Sequence, residues 1–145
     1  MITLSAKFFY AVEAVLTIAY NANNAPVNGR DIAARQRMQP RHLEQVMQKL
    51  VRARILRGVR GPHGGYLLAR EKRRITLADI KEAIGEDETL PSSTPLGNHV
   101  VAPALKKIQQ SLTARLQEIT LARLYEQATE KNIRRTANER NDFTI

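Results

Sequence analysis

Apolar side chains recur at helical spacing along most of the chain. Phe8, Val12, Val15, Leu16 and Ala19 fall at i, i+4, i+7, i+8 and i+11, which predicts a first helix over 5–22 with Ser5 as its N-cap. Phe9, Ile18 and Tyr20 lie off that stripe, so a second side of the helix should also be covered. The Asn-rich run 21–26 ends in Pro26 and predicts a loop. Asn28 then caps a short helix to about Arg35, with Asp31 near the positive end of its dipole and Ile32 and Ala33 as its buried face. Gln39-Pro40 opens a third helix, because Pro is tolerated where no intrahelical donor is needed, and Leu43, Val46, Met47, Leu50 and Val51 give it one apolar face.

The pattern then changes period. Two short β-favouring runs, Ile55–Val59 and Tyr66–Ala69, flank Gly61-Pro62-His63-Gly64-Gly65, predicting a hairpin whose tip can approach another molecule closely. Thr76 and Asp79 have the spacing of a capping box ahead of Leu77, Ile80, Ala83 and Ile84, a fourth helix that closes the core. Residues 86–100 mix acidic residues with Gly, Pro, Ser and Thr and are expected to form a linker loop. A long helix is expected over 101–127, with Val101, Leu105, Ile108, Leu112, Leu116 and Ile119 on one stripe. At about 1.5 Å per residue such a helix is on the order of 40 Å long, more than a domain of residues 1–85 can cover, so part of the stripe is expected to meet a second copy of the chain. The polar tail 128–145 carries no pattern and is expected to be mobile.

Charge sharpens this division. Residues 1–85 hold 15 Lys and Arg against 6 Asp and Glu, whereas residues 86–145 hold 8 of each, so the whole net charge of +9 lies in the first part. A basic part joined to a neutral part assigns one to a polyanion and the other to protein contacts, since phosphate neutralisation releases counterions and drives binding. The third helix offers a matching polar face of Arg41, Glu44, Gln45, Gln48 and Arg52, with His42 and Lys49 beside it. Donors and acceptors concentrated in this way suit base edges, and they suit bulk water equally well until the neighbouring hairpin is added.

Several classes of chemistry are excluded. The 145 residues include no cysteine, which removes disulfides, thiolate metal sites and cysteine nucleophiles and fits a reducing cytoplasm. The most apolar early stretch, Ala11–Tyr20, contains Glu13 and is half the roughly 20 residues that cross a bilayer, so neither a membrane span nor a signal peptide is expected. An enzyme acting on nucleic acid needs a carboxylate cluster or a nucleophile with its base, but Asp31, Glu44 and Asp79 lie on separate elements and the three His are scattered.

Helix, helix, helix, two strands with a Gly-rich tip and a further helix is the element order of a winged helix-turn-helix, mainly α with a small β-hairpin wing. Met1-Ile-Thr-Leu-Ser, Tyr10-Ala-Val, Arg41-His-Leu-Glu-Gln, Val59-Arg-Gly-Pro-His-Gly-Gly-Tyr and Ile75-Thr-Leu-Ala-Asp-Ile together resemble the Rrf2 family of bacterial transcription regulators in order and spacing. Leu116-Gln-Glu-Ile-Thr-Leu-Ala-Arg-Leu is similar to that family's dimerisation helix. The resemblance implies a regulator, more specifically a repressor, that binds double-stranded palindromic DNA as a homodimer. It places the helix over 40–53 in the major groove, with Glu44 and Gln45 at base edges, and the wing residue Arg60 in a narrow minor groove whose negative potential attracts it. Arg30, Arg41, His42, Gln48, Lys49, Gly61, His63 and Gly64 complete the expected DNA-binding set.

Three departures qualify the resemblance. Many members hold an iron–sulfur cluster through three cysteines in the loop matching about 85–105, where this chain has none and His99 cannot replace three thiolates, so no cofactor or metal is expected. Arg37 stands where the family often has Gly in the helix-turn-helix turn, which strains the turn or adds a phosphate contact. His63 occupies the middle of the wing tip, where Gly is usual. Because some cysteine-free relatives sense through a partner enzyme, the alternative reading is a protein-interaction module with weak DNA binding, its effector being a regulatory protein or a small molecule.

Overall fold

The computed structural model of the chain describes residues 4–21, 24–85, 90 and 93–135. Helix α1 spans Ala6–Ala19, and the Ser5 hydroxyl accepts from the Phe8 amide at 3.1 Å, fixing its start. Phe8, Ala11, Ala14, Val15, Ile18 and Ala19 are its buried residues, so the covered face is rotated from the expected stripe: Val12 and Leu16 are half-buried, while Ile18 and Tyr20 are inside and Phe9 is exposed. The small Ala11 and Ala14, both fully buried, leave room for α1 to lie against α4 and the hairpin.

Helix α2 (Gly29–Gln36) begins where the Asn28 side chain accepts from the Arg30 amide at 2.8 Å. It ends at Arg37, whose backbone is left-handed (φ 53°, ψ 40°), and α3 (Pro40–Arg52) follows after two residues. Leu43, Val46, Met47 and Leu50 of α3 enter the core with Ile32 and Ala33 of α2.

Strands β1 (Leu56–Val59) and β2 (Gly65–Leu68) pair antiparallel, with Leu56 opposite Leu68 and Val59 opposite Gly65. A third segment joins them, because Val27 exchanges both backbone hydrogen bonds with Tyr66, at 3.0 and 2.9 Å. The wing is therefore tied to the entrance of α2. Gly65 permits this approach: a Cβ there would lie 2.4 Å from the Val27 carbonyl oxygen.

Helix α4 (Leu77–Ile84) carries both bonds of the expected capping box, Asp79 N to Thr76 Oγ1 at 3.1 Å and Thr76 N to Asp79 Oδ2 at 2.9 Å.

The C-terminal part departs most from expectation. Residues 86–89 and 91–92 of the expected linker lie outside the described residues, but residues 95–96 are already helical and Gly97–Val101 form a π-helical turn leading into α5 (Ala102–Glu118). The expected single helix over 101–127 is instead two, because Ile119 is extended (φ −99°, ψ 113°) and Thr120 caps α6 (Leu121–Glu130). The break has a tertiary cause: the Ile119 carbonyl accepts from Leu77 N at 3.0 Å and Leu121 N donates to the Ile75 carbonyl at 2.8 Å, so this stretch pairs with the entrance of α4. Leu116 and Leu121 are buried in the same core as α1 to α4.

The expected tail is likewise corrected over 128–135. Helix α6 continues to Glu130, and the Tyr20 hydroxyl donates to the Ile133 carbonyl at 2.6 Å. Residues 136–145 lie outside the described residues. Of those described, no helix is long and apolar enough to cross a membrane.

Candidate nucleic-acid interface

The third helix is stripped of apolar groups on its outer side by the packing of its inner side. With Leu43, Val46, Met47 and Leu50 committed to the core, Arg41, His42, Glu44, Gln45, Gln48 and Arg52 are exposed. Arg30, near the start of α2, is exposed too. Lys49 behaves differently from the rest of its group. It is half-buried and its ammonium donates to the Ile84 carbonyl at 3.1 Å, where it satisfies an end group of α4 and complements that helix's negative end. Its expected place on the outward face is therefore corrected.

At the wing tip Arg60, Gly61, Pro62 and His63 are exposed, and Arg60 makes no hydrogen bond or ion pair among the described residues. The tip owes its shape to Gly64, where a Cβ would lie 2.2 Å from the Val59 carbonyl oxygen, and to Gly61 at φ 112°.

The helix-turn-helix and the wing meet in a cleft of about 340 Å³, lined by Asn28, Gly29 and Arg30 of the α2 entrance, Pro40, Arg41, Leu43, Glu44 and Met47 of α3, and Tyr66 of β2. Two guanidinium groups, one carboxylate, one phenol and one amide thus share a single opening. Burial first, and the nearby Glu44 charge second, push the Tyr66 phenol above its ordinary value of 10.0. Of the expected residues, the cleft brings together Arg30, Arg41 and Glu44.

Tyr66 and Asn28 were not among the expected interface residues. The only trace of Tyr66 in the sequence is that it follows Gly64-Gly65, and nothing in one strand's pattern says that its ring reaches α2. Arg70 was missed for the same reason. Its guanidinium donates to the carbonyls of Ala53 (3.1 Å), Arg54 (3.2 Å) and Arg74 (3.3 Å) and pairs with Asp79 (3.4 Å), closing the end of α3 onto the start of α4.

A family model described as Rrf2, iron-dependent transcriptional regulator, matches residues 4–127. The HTH-type transcriptional regulator ORF2 of Azotobacter vinelandii is 42% identical over 83 residues, 57% of this chain and 51% of that protein, so the match spans about half that relative's length. The HTH-type transcriptional regulator IscR of Yersinia pseudotuberculosis is 33% identical over 156 aligned positions, which cover 98% of this chain and 95% of that protein. Among solved structures, T. potens IscR superimposes with a TM-score of 0.73 at 31% identity, covering 94% of this chain and 96% of that one.

The iron in the family description can be tested against the donors present. This chain has no cysteine, and among the described residues no three His, Asp or Glu side chains converge. His42 is on α3, His63 at the wing tip and His99 in the π-helical turn. The donor set does not fit a thiolate-held cluster.

Proposed function

Because the chain belongs to the Rrf2 family of DNA-binding transcriptional regulators and is not an enzyme, we propose that it is a cytoplasmic, cluster-free repressor that binds a two-fold symmetric operator as a homodimer. The cleft carries this reading. It joins Arg41 and Glu44 of α3 to Tyr66 of the wing strand, so both DNA-facing elements share one side of the protomer. Arg41, His42, Glu44, Gln45 and Gln48 face base edges and phosphates in the major groove, and Arg60, Gly61, His63 and Gly64 carry the wing to the adjacent minor groove. Arg30, next to the N-cap of α2, contacts a phosphate.

Assembly is supported by apolar residues left uncovered on the protomer. Leu96, Val100, Val101 and Ile108 are each at least 50% exposed, and with half-buried Leu105 they make the first half of the helical region an apolar surface. Leu112 and Leu116, expected on the same interface, pack inward against the protomer's own core.

The test is to select DNA from a random pool with the purified protein and measure binding against ionic strength. A symmetric duplex should be bound well above random DNA, with affinity falling steeply as salt rises. Arg60→Ala should weaken binding to that duplex by about 1–3 kcal/mol. Equal affinity for selected and random DNA at physiological salt would refute the reading and favour a protein-interaction module.

A further inference from the structure

Tyr66 belongs to the wing by sequence and to the helix-turn-helix by contact. Its backbone is locked to Val27 by two hydrogen bonds, and the glycine before it leaves no room for adjustment. Its ring lies against Gly29, the first residue of α2, where an added Cβ would come 3.3 Å from Tyr66 Cε2. Glycine at position 29 thus makes the space that the ring fills. Held on these two sides, the ring walls the cleft on which Arg30, Arg41 and Glu44 open.

Glu44 is the only carboxylate among the residues lining this cleft, and Arg30 and Arg41 line it too. An exposed carboxylate so placed has two competing uses: it can pair with a guanidinium of its own chain, or it can stay available to a base. A neutral O–H dipole directed at it from the other side shifts that balance, because it lowers the carboxylate's energy without supplying a full positive charge. We propose that Tyr66 is a positioning residue for base readout, its phenol holding Glu44 toward the cleft so that the carboxylate accepts from the exocyclic amino group of a cytosine or adenine. This rests on the DNA-reading role proposed above. The phenol keeps its proton well past neutral pH, since burial and the Glu44 charge both disfavour the phenolate, so the donor is present throughout the physiological range.

Two measurements test this, one of them without DNA. In a spectrophotometric titration the wild-type protein should show one tyrosine ionising later than the others, and Glu44→Gln should bring it earlier. An unchanged titration would mean the two groups do not sense each other and would overturn the proposal. In the second, wild type, Tyr66→Phe, Glu44→Gln and the double variant are measured against the selected duplex and against duplexes with each base pair changed in both half-sites. Glu44→Gln should lose about tenfold or more of its discrimination at one base pair per half-site. Tyr66→Phe keeps the ring against Gly29, so its melting temperature and its affinity for random DNA should stay within about twofold of wild type, while discrimination falls several-fold at the same base pair. In the double variant the two losses should not multiply, as for groups acting through one contact. A Tyr66→Phe protein that discriminates like wild type, or that weakens equally on every duplex, overturns the positioning role alone. A wild-type protein that binds all duplexes alike overturns the DNA-reading function and this role together.

Discussion

Arg37 holds the turn between α2 and α3 in a left-handed conformation that brings its Cβ close to its own backbone, a cost of roughly 1–2 kcal/mol for an L side chain. The conformation persists because the turn is bonded on both sides: Arg37 N donates to the Ala34 carbonyl at 3.2 Å and Met38 N to the Ala33 carbonyl at 2.9 Å. Arg37→Gly should therefore raise stability by about 1 kcal/mol, visible as a higher melting temperature. If Arg37 also touches a phosphate, the same variant should show a shallower dependence of DNA affinity on salt. An unchanged or lower melting temperature would mean the turn carries no such strain. The strain at this position was legible as an Arg where Gly is usual, whereas the role of Lys49 was not. Periodicity put Lys49 beside the polar face of its helix, but only the packing of α4 against α3 brings the Ile84 carbonyl within reach of its ammonium.

At the scale of elements, the division of labour along α5 is the main consequence of the fold. Leu105, Ile108, Leu112 and Leu116 share a stripe, yet Leu116 is 4% exposed and Ile108 is 50% exposed in the same protomer. The two ends should therefore respond differently to one chemical change. Ile108→Asp should leave the protomer folded and shift the protein from dimer to monomer in light scattering, with operator affinity falling because two linked reading heads become one. Leu116→Asp should unfold the protein instead, since an unpaired carboxylate in the core is costly. A folded dimer with full affinity after Ile108→Asp would place the interface elsewhere. The break after α5 was hidden because helical spacing of apolar residues runs on from Leu116 to Ile119 and beyond. Thr120, which accepts from Arg123 N at 3.2 Å, was the one local sign of a new cap.

For the molecule as a whole, charge and covalent chemistry are set by composition while the relation between its parts is not. The excess of Lys and Arg lies in residues 1–85, the part containing α1 to α4 and the wing. The neutral part is nevertheless not a separate appendage. Helix α6 returns to α1, where Tyr20 and Tyr125 meet edge to face at 5.2 Å, Lys72 stands 3.4 Å above the Tyr125 ring, and the Arg135 guanidinium lies 4.9 Å from the Tyr20 ring. Each such cation–π contact contributes on the order of 0.5–1 kcal/mol, so the C-terminal part stabilises the basic part as well as serving assembly. The absence of cysteine has an equally global consequence. Protein produced anaerobically with ample iron should be colourless and contain no stoichiometric iron by elemental analysis, and one tightly held equivalent per chain would contradict the reading of a cluster-free regulator.

The sequence by itself determined whatever depends on short-range geometry or on composition. Caps at Ser5, Asn28 and Thr76, the Pro40 helix start, the glycine-rich wing and the buried face of α3 all follow from spacings of a few residues, and the missing thiolates follow from counting. Tertiary structure decided everything that depends on which distant backbone or side chain lies alongside. It ended α5 at Ile119 by pairing 119–121 with 75–77, turned Lys49 and Arg70 to carbonyls at helix ends, and placed Tyr66 beside Glu44. The reason is physical: periodicity reports only that a side chain is covered, and the energy of a buried polar or backbone group depends on the particular partner that covers it.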